Sequence, residues 1–332
     1  MNIDQLRDRF PNENACRKFF ESIIWQKGRR CPHCGYDRSC KLRGASSRPG
    51  LHECYHCRRQ FTVTTKTPMH STKVPLWKWL QAMYYMVSSS KGVSSVILGR
   101  WLGVSQPTAW KMGHAIRSMM DPGADNAPLL KGIVELDEKY FGGKPRYEKG
   151  VRHRRGKGTT KQCILVAVER HGSVRAEPVE GDKVIDLMPP VFNLISKDAH
   201  LMTDEHKSYQ SIGKWFMAHS SVNHSQKEYA RGDVHNNTAE SFNAILERAK
   251  QGVFHYLSRK HLKRYLHEIG FRWDHRIPEE KTTRKGTKKV VMRPMPVIYT
   301  LSSLLTKALG RQLLRTPNGS IVPRYHSLAT VY

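Results

Sequence analysis

The segment Gly132-Ile-Val-Glu-Leu-Asp-Glu-Lys-Tyr-Phe141 sets the pattern for the central part of the chain. Apolar and polar residues alternate along it, which is the two-residue period of a β-strand with one buried face. Val134 and Leu136 fall on the apolar face, and Glu135 and Asp137 share the opposite face. The segment therefore predicts a core strand that carries a carboxylate at its centre.

The residues that follow predict two more strands, a helix, two strands and a second helix. Their ranges are 162–169, 173–179, 182–195, 200–204, 216–223 and 238–250. Three hairpin-like strands, a helix, a strand and a later helix is the order of elements in a ribonuclease-H-like fold. We therefore predict a multidomain α/β protein whose ribonuclease-H-like catalytic domain, with a mixed sheet, covers residues 129–276.

Three carboxylates occupy the positions at which this fold assembles an acidic site. Asp137 lies on the first strand, Asp204 ends the fourth, and Glu240 lies in the first turn of the later helix. Carboxylate oxygens are suitable ligands for magnesium or manganese, and paired ions support in-line attack on a phosphodiester. The three residues are our candidate catalytic residues and metal ligands.

Each of these carboxylates also has an ordinary structural interpretation. Asp137 could be a solvated strand edge beside two other acidic residues, and Asp204 could begin a turn. Glu240 could stabilise the positive end of its helix. Their occurrence together, in this order and after these elements, favours the catalytic interpretation.

Two Cys-x-x-Cys motifs lie near the amino terminus, Cys31–Cys34 and Cys54–Cys57, with nineteen residues between them. Each motif presents two thiolates from a tight turn, and two motifs complete a tetrahedron around zinc. We predict a structural zinc held by Cys31, Cys34, Cys54 and Cys57 in a zinc ribbon at 31–74, after a helical segment at 1–30. Other candidate ligands nearby are Cys16, His33, Cys40 and His56.

Apolar residues recur at helical spacing between residues 75 and 121. Gly103-Val104-Ser105 predicts a turn, with Ser105 as the N-cap of a helix at 106–119. This is the helix-turn-helix pattern, whose second helix can enter the major groove, and Lys111 and Arg117 are candidate DNA contacts on it. The alternative is a three-helix bundle that only connects two domains. The acidic, turn-rich stretch 121–128 predicts the domain boundary.

The charge of the chain identifies the class of partner. Its 332 residues include 56 Lys and Arg against 28 Asp and Glu, a formal net charge of +28. Such an excess argues against an ordinary metabolic enzyme for small acids and favours nucleic acid over an anionic membrane. The longest aliphatic run, 163–168, is too short to span a bilayer, and residues 1–10 contain no signal-peptide core. An odd count of seven cysteines favours a reducing compartment, and we expect a cytoplasmic protein.

Basic residues are concentrated in two segments. Eight lie between Lys144 and Lys161 and six between Lys281 and Arg293, the latter within a basic extension at 277–332. Charge runs are usually solvated loops, but a strongly basic protein that meets duplex DNA uses them for salt-sensitive phosphate contacts. Our candidate contacts beyond the helix-turn-helix region are Arg152, Arg154, Arg155, Lys157, Arg248 and Lys250. The sequence leaves open whether residues beyond 295 cover the catalytic core or mediate assembly.

Over residues 15 to 276 the chain resembles the DDE transposases of bacterial insertion sequences that carry an amino-terminal zinc ribbon, the ISXO2-like family. The stretches that carry this resemblance are the two cysteine motifs with 58–62, then 103–110, 135–138, 140–144, 203–204, 235–242 and 260–266. The resemblance implies a homodimer or higher oligomer, associated with the nucleoid, that binds double-stranded terminal repeats. It further implies metal-dependent hydrolysis and strand transfer to target DNA at Asp137, Asp204 and Glu240.

Several alternatives stay open beside this resemblance. Some relatives use Asn or His as the third ligand, so Asn236 and Asn237 rival Glu240. Relatives often carry a lysine two helical turns beyond the third acid, where this chain has Glu247. This difference keeps a second function in view, namely a DNA-binding regulator with an inactive ribonuclease-H-like domain. A third is a simple nuclease without strand transfer.

Overall fold

The computed structural model describes residues 1–44, 47–123, 127–142, 149–150, 161–226, 228, 230–283, 286–316 and 321–325. The chain divides into two compact units. The first comprises residues 1–121 together with those from 294 onward, and the second comprises residues 122–293.

The first unit begins with two short helices and a small sheet. The elements are α1 (Ile3–Arg9), α2 (Glu13–Ile24), β1 (Ser39–Lys41), β2 (His52–Cys54) and β3 (Gln60–Phe61). The three strands are antiparallel in the order β1-β2-β3. The core of this ribbon is small, since Phe61 and Trp25 pack against Cys31 and Cys54 and little else. With so small an apolar core, a bound metal would supply much of the folding free energy of the ribbon.

Three helices follow the ribbon: α3 (Leu76–Ser88), α4 (Ser95–Leu102) and α5 (Gln106–Met119). Gly103 ends α4 with a left-handed φ of 60°, the conformation that glycine adopts most readily. The predicted helix-turn-helix is confirmed. Ser105 is the N-cap residue of α5, as predicted, but its side chain makes no capping hydrogen bond to the helix backbone, and its hydroxyl lies 2.9 Å from the Thr108 hydroxyl.

The second unit is built on a five-stranded mixed sheet. Its elements are β4 (Ile133–Phe141), β5 (Gln162–Glu169), β6 (Val174–Val179), α6 (Val184–Leu194), β7 (His200–Thr203), α7 (Lys207–Gly213) and β8 (Ala218–Ser221). The strand order is β6-β5-β4-β7-β8, with β4, β5 and β6 antiparallel and with β7 and β8 parallel to β4. This confirms the predicted ribonuclease-H-like topology and places β4 at the centre of the sheet.

Further elements complete the second unit. They are β9 (Ala230–Arg231), β10 (Val234–His235), α8 (Asn237–Ala249), a π-helical turn (Lys250–Phe254), α9 (Arg259–Asp274), β11 (Arg276–Thr282) and β12 (Lys288–Pro294). Two apolar cores cover the two faces of the sheet. Val134 and Leu136 pack under α6 and α7, whereas Val166 packs with Phe242 and Leu266 under α8 and α9. The predicted alternation along β4 therefore sends Asp137 to the α8 face.

The carboxy-terminal elements belong to the first unit. They are α10 (Val297–Thr306), β13 (Arg311–Arg315) and β14 (Ile321–Tyr325). Arg311 donates hydrogen bonds to the carbonyl oxygens of Ser118 (3.0 Å) and Asp121 (2.6 Å), at the end of α5. The Tyr325 hydroxyl donates to the Asp121 carboxylate at 2.7 Å. Among the described residues, no helix combines the length and apolarity that crossing a membrane requires.

Candidate metal centres and active site

The four predicted cysteine ligands form one cluster. The Sγ atoms of Cys31, Cys34, Cys54 and Cys57 all lie within 4.8 Å of one another. The distances Cys31–Cys57 and Cys34–Cys54 are both 3.6 Å. A tetrahedron with zinc–sulfur bonds of about 2.3 Å has sulfur–sulfur edges of about 3.8 Å, so the cage fits a zinc ion.

The electrostatics of the cluster favour at least one thiolate. Burial acts to raise the pKa of Cys54, but backbone N–H groups of Cys57 and His56 and the thiols of Cys34 and Cys31 outweigh it and lower the pKa to about 7. The other candidate ligands in this region have different partners. Cys40 lies 3.8 Å from the carbonyl of Glu53, and His33 lies 3.3 Å from that of Gln60. The four-cysteine set is therefore the metal cluster of the ribbon.

Backbone pairing brings the first two candidate carboxylates together. Strands β4 and β7 run parallel, with Ile133 opposite His200 and Glu135 opposite Met202. Continued by two residues, this register sets Asp137 beside Asp204, just beyond the last paired residue of β7. Adjacent parallel strands lie about 4.8 Å apart, so the two acids share one edge of the sheet.

Helix α8 supplies the third carboxylate. It packs with Phe242 and Leu246 on the sheet, and it carries Glu240 in its first turn and Asn243 one turn later. Asn243 is 6% exposed, and its Nδ2 donates a 2.6 Å hydrogen bond to Oδ2 of Asp137. Asn243 therefore ties the helix of the third acid directly to the first. Sequence reasoning missed this contact, because a polar residue on a helix says nothing about its tertiary partner.

The negative charges of Asp204 and Glu240 act on Asp137. Burial raises the pKa of Asp137 to about 7, and the negative charges of Glu138, Asp204 and Glu240 add to the rise, while the Asn243 hydrogen bond opposes it. A nearby cation would stabilise the ionised form of a carboxyl group that lies among so many negative charges. Oxygen donors and an excess of negative charge fit a magnesium or manganese ion.

The surroundings of Asp204 and Glu240 differ. Asp204 is half-buried, and its Oδ1 accepts a 3.0 Å hydrogen bond from the backbone N–H of His206. Glu240 is exposed. Within the described part of the chain, the triads of metal-ligating atoms closer than 4.8 Å do not include Asp137, Asp204 and Glu240 together. The three thus face one region but stand further apart than the thiols of the ribbon.

The asparagines that rival Glu240 are placed differently. Asn236 is buried, and its Nδ2 donates to the carbonyl oxygen of Leu136 at 2.9 Å. Asn237 is the first residue of α8, and its carbonyl accepts a hydrogen bond from Ser241. Asn236 therefore connects the start of α8 to β4 and uses its amide group for this contact. Glu240 is the acidic residue in the first turn of α8 and stays our candidate for the third ligand.

Glu247 lies between two lysines on the same side of the sheet as Asp137. Its carboxylate is 3.7 Å from Nζ of Lys139 and 3.5 Å from Nζ of Lys250. Lys250 also lies over the ring of Phe141, 4.9 Å from its centre. Lys139 and Lys250 therefore place positive charge beside Glu247. Neither lysine occupies the position two helical turns beyond Glu240 where many relatives have one.

The predicted DNA contacts fall into four groups. Lys111 on α5 and Arg248 on α8 are exposed, and Lys250 is half-buried. Arg117 is only 4% exposed, so its side chain has no surface to offer to a duplex, and we leave it out of the proposed interface. Arg152, Arg154, Arg155 and Lys157 lie outside the described residues.

A second polar cluster lies on the opposite face of β4. Ligand atoms of Glu138, Asp182 and His206 are within 4.8 Å of one another, and the Tyr209 hydroxyl donates to Glu138 at 2.7 Å. His206 Nε2 lies 3.6 Å from Asp182. Sequence reasoning missed this cluster because its members come from β4, the loop before α6 and the start of α7. Its position beside Asp137 and Asp204 explains why Glu138 contributes to the high pKa of Asp137.

Parts of the chain are similar to known transposase domains. Residues 129–274 match the family described as ISXO2-like transposase domain, and residues 11–60 match the transposase zinc-ribbon domain. An uncharacterised protein of the transposable element ISH50 from Halobacterium salinarum is 25% identical over 253 residues, 72% of this chain and 83% of that protein. The Mos1 pre-cleavage transpososome has 12% identity and a TM-score of 0.25, with 58% of this chain and 75% of that chain covered. The Mos1 strand transfer complex has 12% identity and a TM-score of 0.22, with 59% of this chain and 76% of that chain covered.

Proposed function

Because the chain belongs to the ISXO2-like transposases and carries their zinc ribbon, we propose that it binds the terminal repeats of its own insertion sequence and cuts and joins them. The reaction is metal-dependent phosphodiester hydrolysis followed by strand transfer into target DNA. The observation that carries this proposal is the β4–β7 register, which continues to set Asp137 beside Asp204, together with the effect of the Asp204 and Glu240 charges on the pKa of Asp137.

In this proposal Asp137, Asp204 and Glu240 hold magnesium or manganese at that edge. Bound divalent ions would activate the attacking hydroxyl and stabilise the leaving oxygen of the phosphodiester. Asn243 fixes the orientation of the Asp137 carboxylate through its 2.6 Å hydrogen bond. Because Glu240 is exposed, the site is open to a DNA strand from the solvent side.

The first unit recognises DNA in this proposal. The four cysteines bind zinc as a structural ion, since four thiolates complete its tetrahedron and leave no place for water. The exposed first turns of α5, with Gln106 and Lys111, supply the surface for the major groove. Synapsis of two element ends requires at least a dimer on DNA. We place the protein in the bacterial cytoplasm, at the nucleoid.

The test is a cleavage assay on a labelled duplex that carries the end sequence of the element, with magnesium and an unlabelled target duplex. We expect nicking at the element end and joined products with the wild-type chain, and neither with Asp204→Ala. Nicking without joined products supports a simple nuclease. Tight binding with no cleavage by either protein supports a DNA-binding regulator, and cleavage that survives Asp204→Ala contradicts the assigned site.

A further inference from the structure

Glu135 is a fully buried carboxylate two residues before Asp137 on β4. Its exposure is 0%, and the two-residue period of the strand turns it toward α8, as it does Asp137. A buried carboxylate is costly unless it is paired and hydrogen-bonded. The contacts that satisfy Glu135 therefore show what the residue does.

Most of these contacts lie at the start of α8. Oε2 of Glu135 accepts hydrogen bonds from the backbone N–H groups of Thr238 (2.6 Å) and Ala239 (3.0 Å). Oε1 accepts a 2.9 Å bond from the Thr238 hydroxyl. The first N–H groups of a helix lack partners within the helix and carry partial positive charge, so a carboxylate is a strong cap for them. The residue at the N-cap position, Asn236, donates its amide to Leu136 instead.

Arg170 completes the arrangement. Its Nε donates to Oε1 of Glu135 at 2.6 Å, and its other nitrogens donate to the carbonyl oxygens of Asp233 (2.8 Å) and His235 (3.0 Å). His235 Nδ1 lies 3.3 Å from the same carboxylate. One guanidinium thus neutralises Glu135 and holds the chain that leads into α8.

We propose that Glu135 is a positioning residue that sets the place of α8 on β4, and with it the place of Glu240 relative to Asp137. The proposal rests on the proposed function, because it assigns Glu240 as a metal ligand. Glu240 is the residue after Ala239, whose N–H is capped by Glu135. A shift of the first turn of α8 relative to β4 would therefore also move the Glu240 carboxylate. Glu135 itself is not a ligand, since both of its oxygens already accept hydrogen bonds from α8 and Arg170.

The test compares Glu135→Ala and Glu135→Gln with the wild-type chain. Glutamine keeps the length and one acceptor oxygen, whereas alanine removes the cap. Glu177→Gln is the matched control, because it removes a carboxylate from β6 whose ion pair with Lys263 is partly exposed to solvent. All measurements are made at a temperature where circular dichroism shows each variant fully folded.

Three quantities are measured: Mn²⁺ affinity by electron paramagnetic resonance, hydrogen exchange of the α8 first-turn amides, and nicking at saturating Mn²⁺. We expect Glu135→Ala to weaken Mn²⁺ binding by about tenfold or more, as for loss of a partner that orients metal ligands. The amides of Thr238 and Ala239 should exchange faster, and nicking should slow. Glu135→Gln should restore part of each quantity, and Glu177→Gln should match the wild type.

The outcomes separate this proposal from the proposed function. Wild-type cleavage together with unchanged Mn²⁺ affinity, exchange and nicking in Glu135→Ala overturns the positioning role and leaves the transposase assignment intact. Weakened Mn²⁺ binding and faster exchange in a chain whose wild type does not cut DNA uphold the positioning role and overturn the nuclease assignment. Equal losses in Glu135→Ala and Glu177→Gln would show a general effect of charge and overturn the positioning role.

Discussion

The two candidate metal centres of this chain are built in opposite ways. The ribbon cluster takes its thiols from two tight turns, with sulfur atoms already 3.6 Å apart across the cage. The carboxylate site takes its ligands from β4, the end of β7 and the first turn of α8, and its acids stand further apart.

This difference separates the roles of the two metals. The ribbon has a small apolar core, so a bound zinc ion would supply much of its folding free energy. The second unit has apolar cores on both faces of its sheet, so its fold does not depend on a metal, and in the proposed function its acids would bind the ion on a fold that is already formed. A site that stays open at Glu240 can exchange ions and admit substrate, whereas four thiolates around zinc cannot.

Loss of a thiolate should give the largest effect. We expect Cys54→Ser to release the zinc and unfold the ribbon, because binding of structural zinc is worth about 10 kcal/mol or more. Zinc content by mass spectrometry and the dispersion of ribbon amide signals in nuclear magnetic resonance measure this. Cys40→Ser is the control and should keep its zinc. One tightly held zinc in Cys54→Ser would show that the cage has been assigned wrongly.

Two acids on one helix provide the next comparison. Glu240→Gln should slow DNA nicking by roughly a thousandfold, because metal stabilisation of the reacting oxygens is worth several kcal/mol. Glu247→Gln, two turns further along α8, should have a much smaller effect because Glu247 already pairs with Lys139 and Lys250. Zinc content should be the same in both variants. Equal activity in Glu240→Gln and the wild type would contradict the assignment of Glu240 as the third metal ligand.

The carboxylate site should also respond to pH near neutrality. With the pKa of Asp137 at about 7, a proton competes with the metal below that pH, and Mn²⁺ affinity should fall up to about tenfold per pH unit. The stability of the metal-free second unit should show the opposite trend. Because the folded-state pKa of Asp137 is raised from 3.8 to about 7, its contribution to stability should be complete at a pH below 3.8 and should be lost as pH rises through about 7.

Asn243→Leu sharpens this prediction. The Asn243 hydrogen bond lowers the pKa of Asp137, so its removal should move the midpoint of the Mn²⁺ titration to higher pH. Electron paramagnetic resonance titrations across neutral pH measure the midpoint. A midpoint that stays in place would show that Asn243 does not act on Asp137.

Local patterns were sufficient to predict much of this molecule. The period-two alternation along 132–141 placed Val134 and Leu136 on one face of β4, and the order of elements predicted the sheet. The cysteine spacing predicted the cluster, because two ligands in one turn need no tertiary information. The roles of Asp137, Asp204 and Glu240 stay predictions, although the sheet register and the electrostatics of Asp137 support them.

Contacts between distant segments could not be predicted. The Glu135–Thr238 and Asn243–Asp137 hydrogen bonds join residues more than a hundred positions apart. Arg117 was predicted as a surface residue, because its burial depends on tertiary contacts that the sequence does not reveal. The short helix α7 and the strands β11 and β12 were not predicted, because their mainly polar sequences show no clear apolar periodicity.

The smallest effect concerns DNA recognition in the unit that holds the thiolates. Lys111 is exposed on α5, and a lysine that contacts one phosphate releases about one counterion. We expect Lys111→Ala to weaken duplex binding across sequences and to reduce the slope of log affinity against log salt by about one. The nicking rate of fully bound DNA should not change, because the carboxylates lie in the other unit. A changed rate at saturation with an unchanged salt slope would mean that the separation between a recognition unit and a cutting unit is wrong.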